Sequence, residues 1–212
     1  MESTRFASLL ASRIFHDLVS PLTVMIQGSS IAFDDEMGPS MKVEGEKLMK
    51  DSLAGIDAKI QFMRFAIGSQ AMTDGWTDPH AAKALFDKLF AVGKQKLEWK
   101  VETFYITNRQ MRVLMNMTLM VMEAAGKAGT VRVMAREDGG DLVLEVQAIG
   151  QPGELKADVR DALAGKEPER GWGTGIHPLF AKMIAEEEGM ILSYGPIEGG
   201  VSMSARGLRA KD

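Results

Sequence analysis

Two long apolar repeats with the period of a helix limit this chain's fold more than any other feature of its sequence. Phe6, Leu10, Ile14, Leu18, Leu22 and Met25 recur every three or four residues. At ~100° per residue they fall within an arc of roughly 160°, which predicts a helix over about residues 2–32. After the turn segment DDEMGPS (34–40), Met49, Leu53, Ile56, Ile60, Met63 and Ile67 repeat the pattern and predict a second helix over about 42–69. Two helices joined by a short turn make an antiparallel hairpin. A lone hairpin has little against which to bury its apolar seam. The expectation is therefore a homodimer that completes a four-helix bundle.

The pattern changes at TDGWTDP (73–79), a turn-rich stretch with Gly, Pro and two Asp. It separates a helical-hairpin domain over 1–73 from a second domain over 74–212. The second domain reads as helix (78–92), strand (97–106), helix (108–125), then strands 130–137 and 141–148 around Asp138-Gly139-Gly140. A loop-rich stretch with a short helix near 158–164 follows, then a helix over 175–188 and strands 190–194 and 201–206. Strands in this order are expected to be antiparallel under one helical layer. The fold class is α+β: a helical hairpin plus a two-layer α/β sandwich.

Charge and composition exclude several functions. Twenty-five Lys and Arg against 29 Asp and Glu leave a net charge of −4, with no general attraction to nucleic acid or an anionic membrane. The absence of Cys removes disulfides, thiolate metal sites and a cysteine nucleophile. Three widely separated His give no metal-binding pair. The N-terminus has no signal-peptide pattern. The most apolar window, Met111–Met122, is about 12 residues against the ~20 of a membrane span. The chain is expected in the cytoplasm, with no nucleic-acid or membrane partner. Sixteen Met and few aromatics suit a plastic, helix-rich core.

His16 stands out in FHDLVSPL (15–22). It lies roughly 240° around the helix from Leu10, away from an apolar stripe centred near ~40°. Ser12, Ser20, Thr23 and Gln27 share its polar face, beside Arg13. A neutral imidazole is a nucleophile at cytoplasmic pH and can accept a phosphoryl group from an aspartyl phosphate. Asp17 can hold one ring nitrogen as N–H and leave the other free. Pro21 removes a ladder hydrogen bond one turn further on and predicts a bend. Most surface histidines carry no chemistry; here exposure, the following acid, Pro at +5 and the hairpin act together. His80, after Pro79 at a helix start, reads as a cap or surface residue; His177, after GTGI at another, is placed to bind an anion but reads rather as structural.

These residues resemble the histidine-kinase superfamily. HDLVSPL is similar to its H-box, a His followed by an acid and, five residues on, a Pro. The second domain has the element order of the kinase ATP-binding domain, but its boxes are altered. VLMNMTLMVMEAAGKAGTVRV (113–133) resembles the N-box, with Asn116 at the first Asn and Met120 where the family places its Mg²⁺ ligand. VQAIGQPG (146–153) resembles the adenine-reading box with Ala148 in place of Asp, and GWGTGI (171–176) resembles the last glycine-rich box. A Met cannot serve as a metal ligand for phosphoryl transfer from ATP. The chain is thereby identified as similar to the ChpT-type histidine phosphotransferases of alphaproteobacteria.

The resemblance implies a phosphorelay intermediate that shuttles a phosphoryl group between receiver-domain aspartates through His16, without ATP. His16 and Asp17 would be catalytic. Ser12, Arg13, Ser20, Thr23 and Gln27 would meet the partner. Partners would be response-regulator receiver domains of a hybrid histidine kinase and of downstream regulators. No cofactor is expected, the receiver supplying Mg²⁺. The alternatives are a non-catalytic receiver-binding adaptor, and a kinase or phosphatase with an atypical nucleotide site.

Overall fold

The apolar repeats form α1, Ser3–Ala32, and α2, Pro39–Ala66, in a computed structural model that describes residues 1–68, 73–103 and 105–209. Pro39 opens α2, where a missing N–H costs nothing. α2 ends at Ala66, short of the expected Ser69, which lies outside the described residues. The two helices approach closely at a pair of glycines. A Cβ on Gly28 would lie 2.8 Å from the Gly45 carbonyl oxygen, and one on Gly45 would lie 2.7 Å from the Ala32 nitrogen. Mid-helix glycine costs about 1 kcal/mol against Ala, and here the missing Cβ is what lets the backbones meet.

Contacts divide the chain into two units, Met1–Gln61 and Phe62–Asp212. In the first, the expected single stripe is split. Leu10, Ile14, Leu18 and Met25 are half-buried, but Leu22 is exposed together with Phe15, Val19 and Ile26. An arc of roughly 160° exceeds the face that one neighbouring helix covers, so its edge turns to water. α1 is also long and apolar enough, by length and composition, to cross a membrane. It is longer than the window of about 12 residues, Met111–Met122, on which the expectation of no membrane span was argued. Arg13, His16 and Asp17 lie along α1, charged or polar groups that a bilayer core disfavours.

The second unit is built on a five-stranded sheet of order β1-β2-β3-β5-β4. The strands are β1 (Lys96–Val101), β2 (Thr130–Asp138), β3 (Asp141–Ile149), β4 (Ile191–Ile197) and β5 (Gly200–Leu208). The helices are α3 (Pro79–Ala91), α4 (Asn108–Val121), α5 (Ala157–Leu163) and α6 (Trp172–Glu187). The expectation of antiparallel strands fails at one pair: β1 runs parallel to β2. A helix, α4, connects these strands and returns the chain to the end from which β1 started. β1 is also shorter than the expected 97–106, with Phe104 outside the described residues. Beyond Val101 the sheet edge is finished by side chains, the Thr103 hydroxyl donating to Glu137 at 2.8 Å.

Local signals place the remaining elements. The Asp78 carboxylate caps α3 through the His80 N–H, and Thr107 with Gln110 forms a capping box on α4. Gly139 and Gly140, both at positive φ, make the two-residue turn between β2 and β3. One sheet face (Val131, Val133, Leu144, Val146, Met203, Ala205) is buried with α4, of which only Asn108, Arg109 and Leu119 escape burial. Met111, Met115, Met117 and Met120 are core residues there. α6 begins at Trp172, three residues before the expected Gly175, so the glycine-rich segment forms its first turn. A Cβ on Gly175 would lie 2.6 Å from the Pro168 ring.

Candidate functional site

His16 lies in the first half of α1, with a side chain 78% exposed. Its Nδ1 is 3.3 Å from Asp17 Oδ1, and Arg13 Nε donates to Asp17 Oδ2 at 3.1 Å. The Arg13–Asp17 pair spans one helical turn, the spacing at which opposite charges meet. The carboxylate is thus held from one side by a guanidinium and presents its other oxygen to the imidazole. A carboxylate only accepts, so in the neutral imidazole this contact puts the proton on Nδ1 and leaves the lone pair on Nε2 of an exposed ring. The geometry offers a nucleophilic nitrogen with a fixed orientation and open access.

Ser12, Ser20, Thr23 and Gln27 are exposed on α1 with His16, and Arg13 is half-buried against Asp17. The Thr23 hydroxyl donates to the Val19 carbonyl at 2.9 Å, so this side chain is tied to its own helix. Two features escaped the sequence. One is the apolar strip Phe15, Val19, Leu22 and Ile26, which runs along the helix beside the His16 face. The other is Lys59 of α2, whose Nζ donates to the Asp17 carbonyl at 3.4 Å. The strip's spacing of four, three and four was readable. Lys59 stands 42 residues from Asp17, and only the missing N–H of Pro21 hints at its contact.

In the second unit the altered boxes turn inward. Asn116 is fully buried: its Nδ2 donates to the Ala66 carbonyl at 2.6 Å and the Arg112 carbonyl at 2.8 Å. Its Oδ1 lies 2.8 Å from His177 Nε2 on α6, and since the amide oxygen only accepts, that nitrogen carries the proton. Arg112 donates to the Ala66 and Ile67 carbonyls and stacks on the Phe180 ring, 5.0 Å from its centroid. Burial lowers the Arg112 pKa, against the raising pull of Glu187 and Glu188. These contacts bind α4 to α6 and to the last turn of α2. Met120 is 5% exposed and Ala148 is fully buried, so both are core residues. No group of three or more His, Asp or Glu among the described residues is arranged to hold a metal ion.

Comparison with known proteins bears on the family and the fold. The family model of the histidine phosphotransferase C-terminal domain matches residues 79–199. The protein phosphotransferase ChpT of Brucella abortus (strain 2308) is 24% identical over 187 residues, 88% of each chain. The solved structure of a bacterial phosphotransferase superposes with a TM-score of 0.84 at 23% identity, covering 97% of both chains. The catalytic domain of histidine kinase ThkA covers 65% of this chain and 97% of its own, with a TM-score of 0.52 at 16% identity.

Proposed function

Because this chain belongs to the histidine phosphotransferase family, we propose that it relays phosphoryl groups between receiver-domain aspartates through His16, without ATP. The observation that carries this reading is the His16 ring: exposed, held at Nδ1 by Asp17, and open at Nε2. The Nε2 lone pair attacks the phosphorus of an aspartyl phosphate. An N–P bond forms, the acyl O–P bond breaks, and the aspartate leaves as a carboxylate. The Nδ1 proton stays on the ring, where Asp17 accepts its hydrogen bond and offsets the developing positive charge. The reverse sequence delivers the group to a second receiver. The receiver's acidic pocket supplies the divalent ion, so this chain needs none of its own. An ATP-dependent kinase is disfavoured by the burial of Met120 and Ala148 and by the bonds that occupy Asn116.

The partners follow from the same face. Receiver domains of a hybrid kinase and of downstream regulators dock over His16, Ser12, Ser20, Thr23 and Gln27. A second copy covers the exposed Phe15, Val19, Leu22 and Ile26 of α1 with Leu53 and Ile60 of α2, completing a four-helix bundle. The protein works in the cytoplasm, with no part for a membrane or nucleic acid. The test is incubation with a receiver domain charged by acetyl phosphate. Label that moves to this chain, is lost in acid, survives alkali and maps to His16 is the expected result. An uncharged chain, or label on His80 or His177, overturns the reading.

A further inference from the structure

Pro21 interrupts the α1 ladder at a defined place. In an α-helix the C=O of residue i accepts from the N–H of residue i+4, and Pro has no N–H. The carbonyl deprived by Pro21 is that of Asp17. Lys59 of α2 reaches this same oxygen, its Nζ donating at 3.4 Å. Asp17 therefore meets Lys59 at its backbone, Arg13 at one carboxylate oxygen and His16 Nδ1 at the other. The proline and the lysine are two halves of one device: the first opens an acceptor, and the second fills it from across the hairpin.

We propose that Lys59 is a positioning residue for phosphoryl transfer. By taking the acceptor that Pro21 leaves open, it fixes the turn that sets Asp17 against His16 Nδ1. The imidazole is then held as the Nδ1–H tautomer, with Nε2 unprotonated and aimed at solvent. Which nitrogen of a histidine reacts is set by the hydrogen bond that the other one makes, and a small displacement of an oriented nucleophile costs rate steeply. The inference rests on His16 as the phosphoryl carrier. Its requirement for a tautomer can be read without any transfer.

The experiment compares Lys59→Met, Lys59→Arg, Pro21→Ala and the Pro21→Ala/Lys59→Met double variant. Nitrogen-15 NMR reports the tautomer of the His16 ring, and intact mass reports phosphoryl uptake from phosphoramidate. In that uptake the donor's P–N bond breaks, ammonia leaves, and an N–P bond to His16 forms. Lys59→Met is expected to move the ring toward the Nε2–H tautomer and to slow uptake about fivefold, the scale of one ordinary net hydrogen bond. Lys59→Arg keeps a cationic donor and stays near the parent. Pro21→Ala returns an N–H to the Asp17 carbonyl, so adding Lys59→Met there changes either readout by less than about 1.5-fold. Should Lys59→Met unfold the hairpin, Lys59→Leu, which also lacks a donor, carries the same comparison. An unmoved tautomer in Lys59→Met, or an equal loss in the Pro21→Ala background, overturns the inference. A parent chain with the Nδ1–H tautomer that takes no phosphoryl group overturns the His16 reading instead.

Discussion

In the hairpin unit the candidate nucleophile stands in water, whereas in the second unit the positions that resemble kinase boxes at Asn116, Met120 and Ala148 are buried. His16 is 78% exposed and tied at one ring nitrogen only. Asn116 is fully buried, with both ends of its amide engaged. Both residues sit in segments that resemble kinase boxes, yet only one remains available to a partner. A box whose side chains are all bound to the scaffold serves the fold. A box that leaves one side chain exposed keeps it within a partner's reach.

The largest effect should come from breaking the exposed side of this comparison. His16→Ala is expected to abolish phosphoryl uptake completely, since no other group on that face offers a ring nitrogen. The ring buries little surface, so the unfolding free energy should change by about 0.5 kcal/mol or less. Phosphorylation assays alongside urea melts check both halves. Residual transfer, or a large loss of stability, would show that His16 is no more free than Asn116.

Next comes the apolar strip. Ile60 is 39% exposed and Leu53 is 57% exposed, an arrangement that suits a covering copy. Ile60→Glu would bury a carboxylate in that seam and should weaken self-association about a hundredfold or more. Sedimentation over a micromolar range decides it. An unchanged mass in the variant would mean that the strip meets something other than its own copy.

The buried side is tested by Asn116→Ala. This removes donors from the Ala66 and Arg112 carbonyls and the acceptor that His177 Nε2 uses, and should destabilise the second unit by about 2 kcal/mol. Phosphoryl uptake at His16 should persist wherever the variant is folded. Thermal melts and the uptake assay together separate the two roles, and a folded variant without uptake would link the units in a way this comparison denies.

Much of this was readable before any coordinates. The three-to-four spacing gave both hairpin helices, and Asp138-Gly139-Gly140 marked the turn between β2 and β3 because its chemistry is local; the caps at Asp78 and Thr107, equally local, went unread. The rest of what escaped was non-local. The parallel pairing of β1 with β2 depends on where α4 returns the chain, and alternation within a strand is blind to strand direction. Leu22 matched the stripe but faces water, because one neighbouring helix covers a limited arc. The bonds of Asn116 to Ala66 and to His177 span 50 and 61 residues, and no spacing rule reaches that far. At the site, His16, Asp17 and their polar neighbours were legible, whereas Lys59 was not.

The smallest effect concerns the second unit's outer sheet face, where a polar group is partly buried and paired. Burial of the Glu145 carboxyl raises its pKa, but hydrogen bonds from Ser202, Gln147 and Arg136 outweigh this and hold it below the usual carboxylate range. A group whose folded pKa is depressed stabilises the fold above its unfolded pKa, ~4.3 for Glu, and loses that contribution as pH falls through the folded value. The melting temperature should therefore fall as pH drops below about 4. Glu145→Gln keeps the shape, cannot ionise, and should flatten that part of the profile. Melts of parent and variant from neutral pH to below ~4 check the difference. A variant that falls as steeply as the parent would place the acid-sensitive group elsewhere, with Asp158, held low by Arg170, the next to substitute.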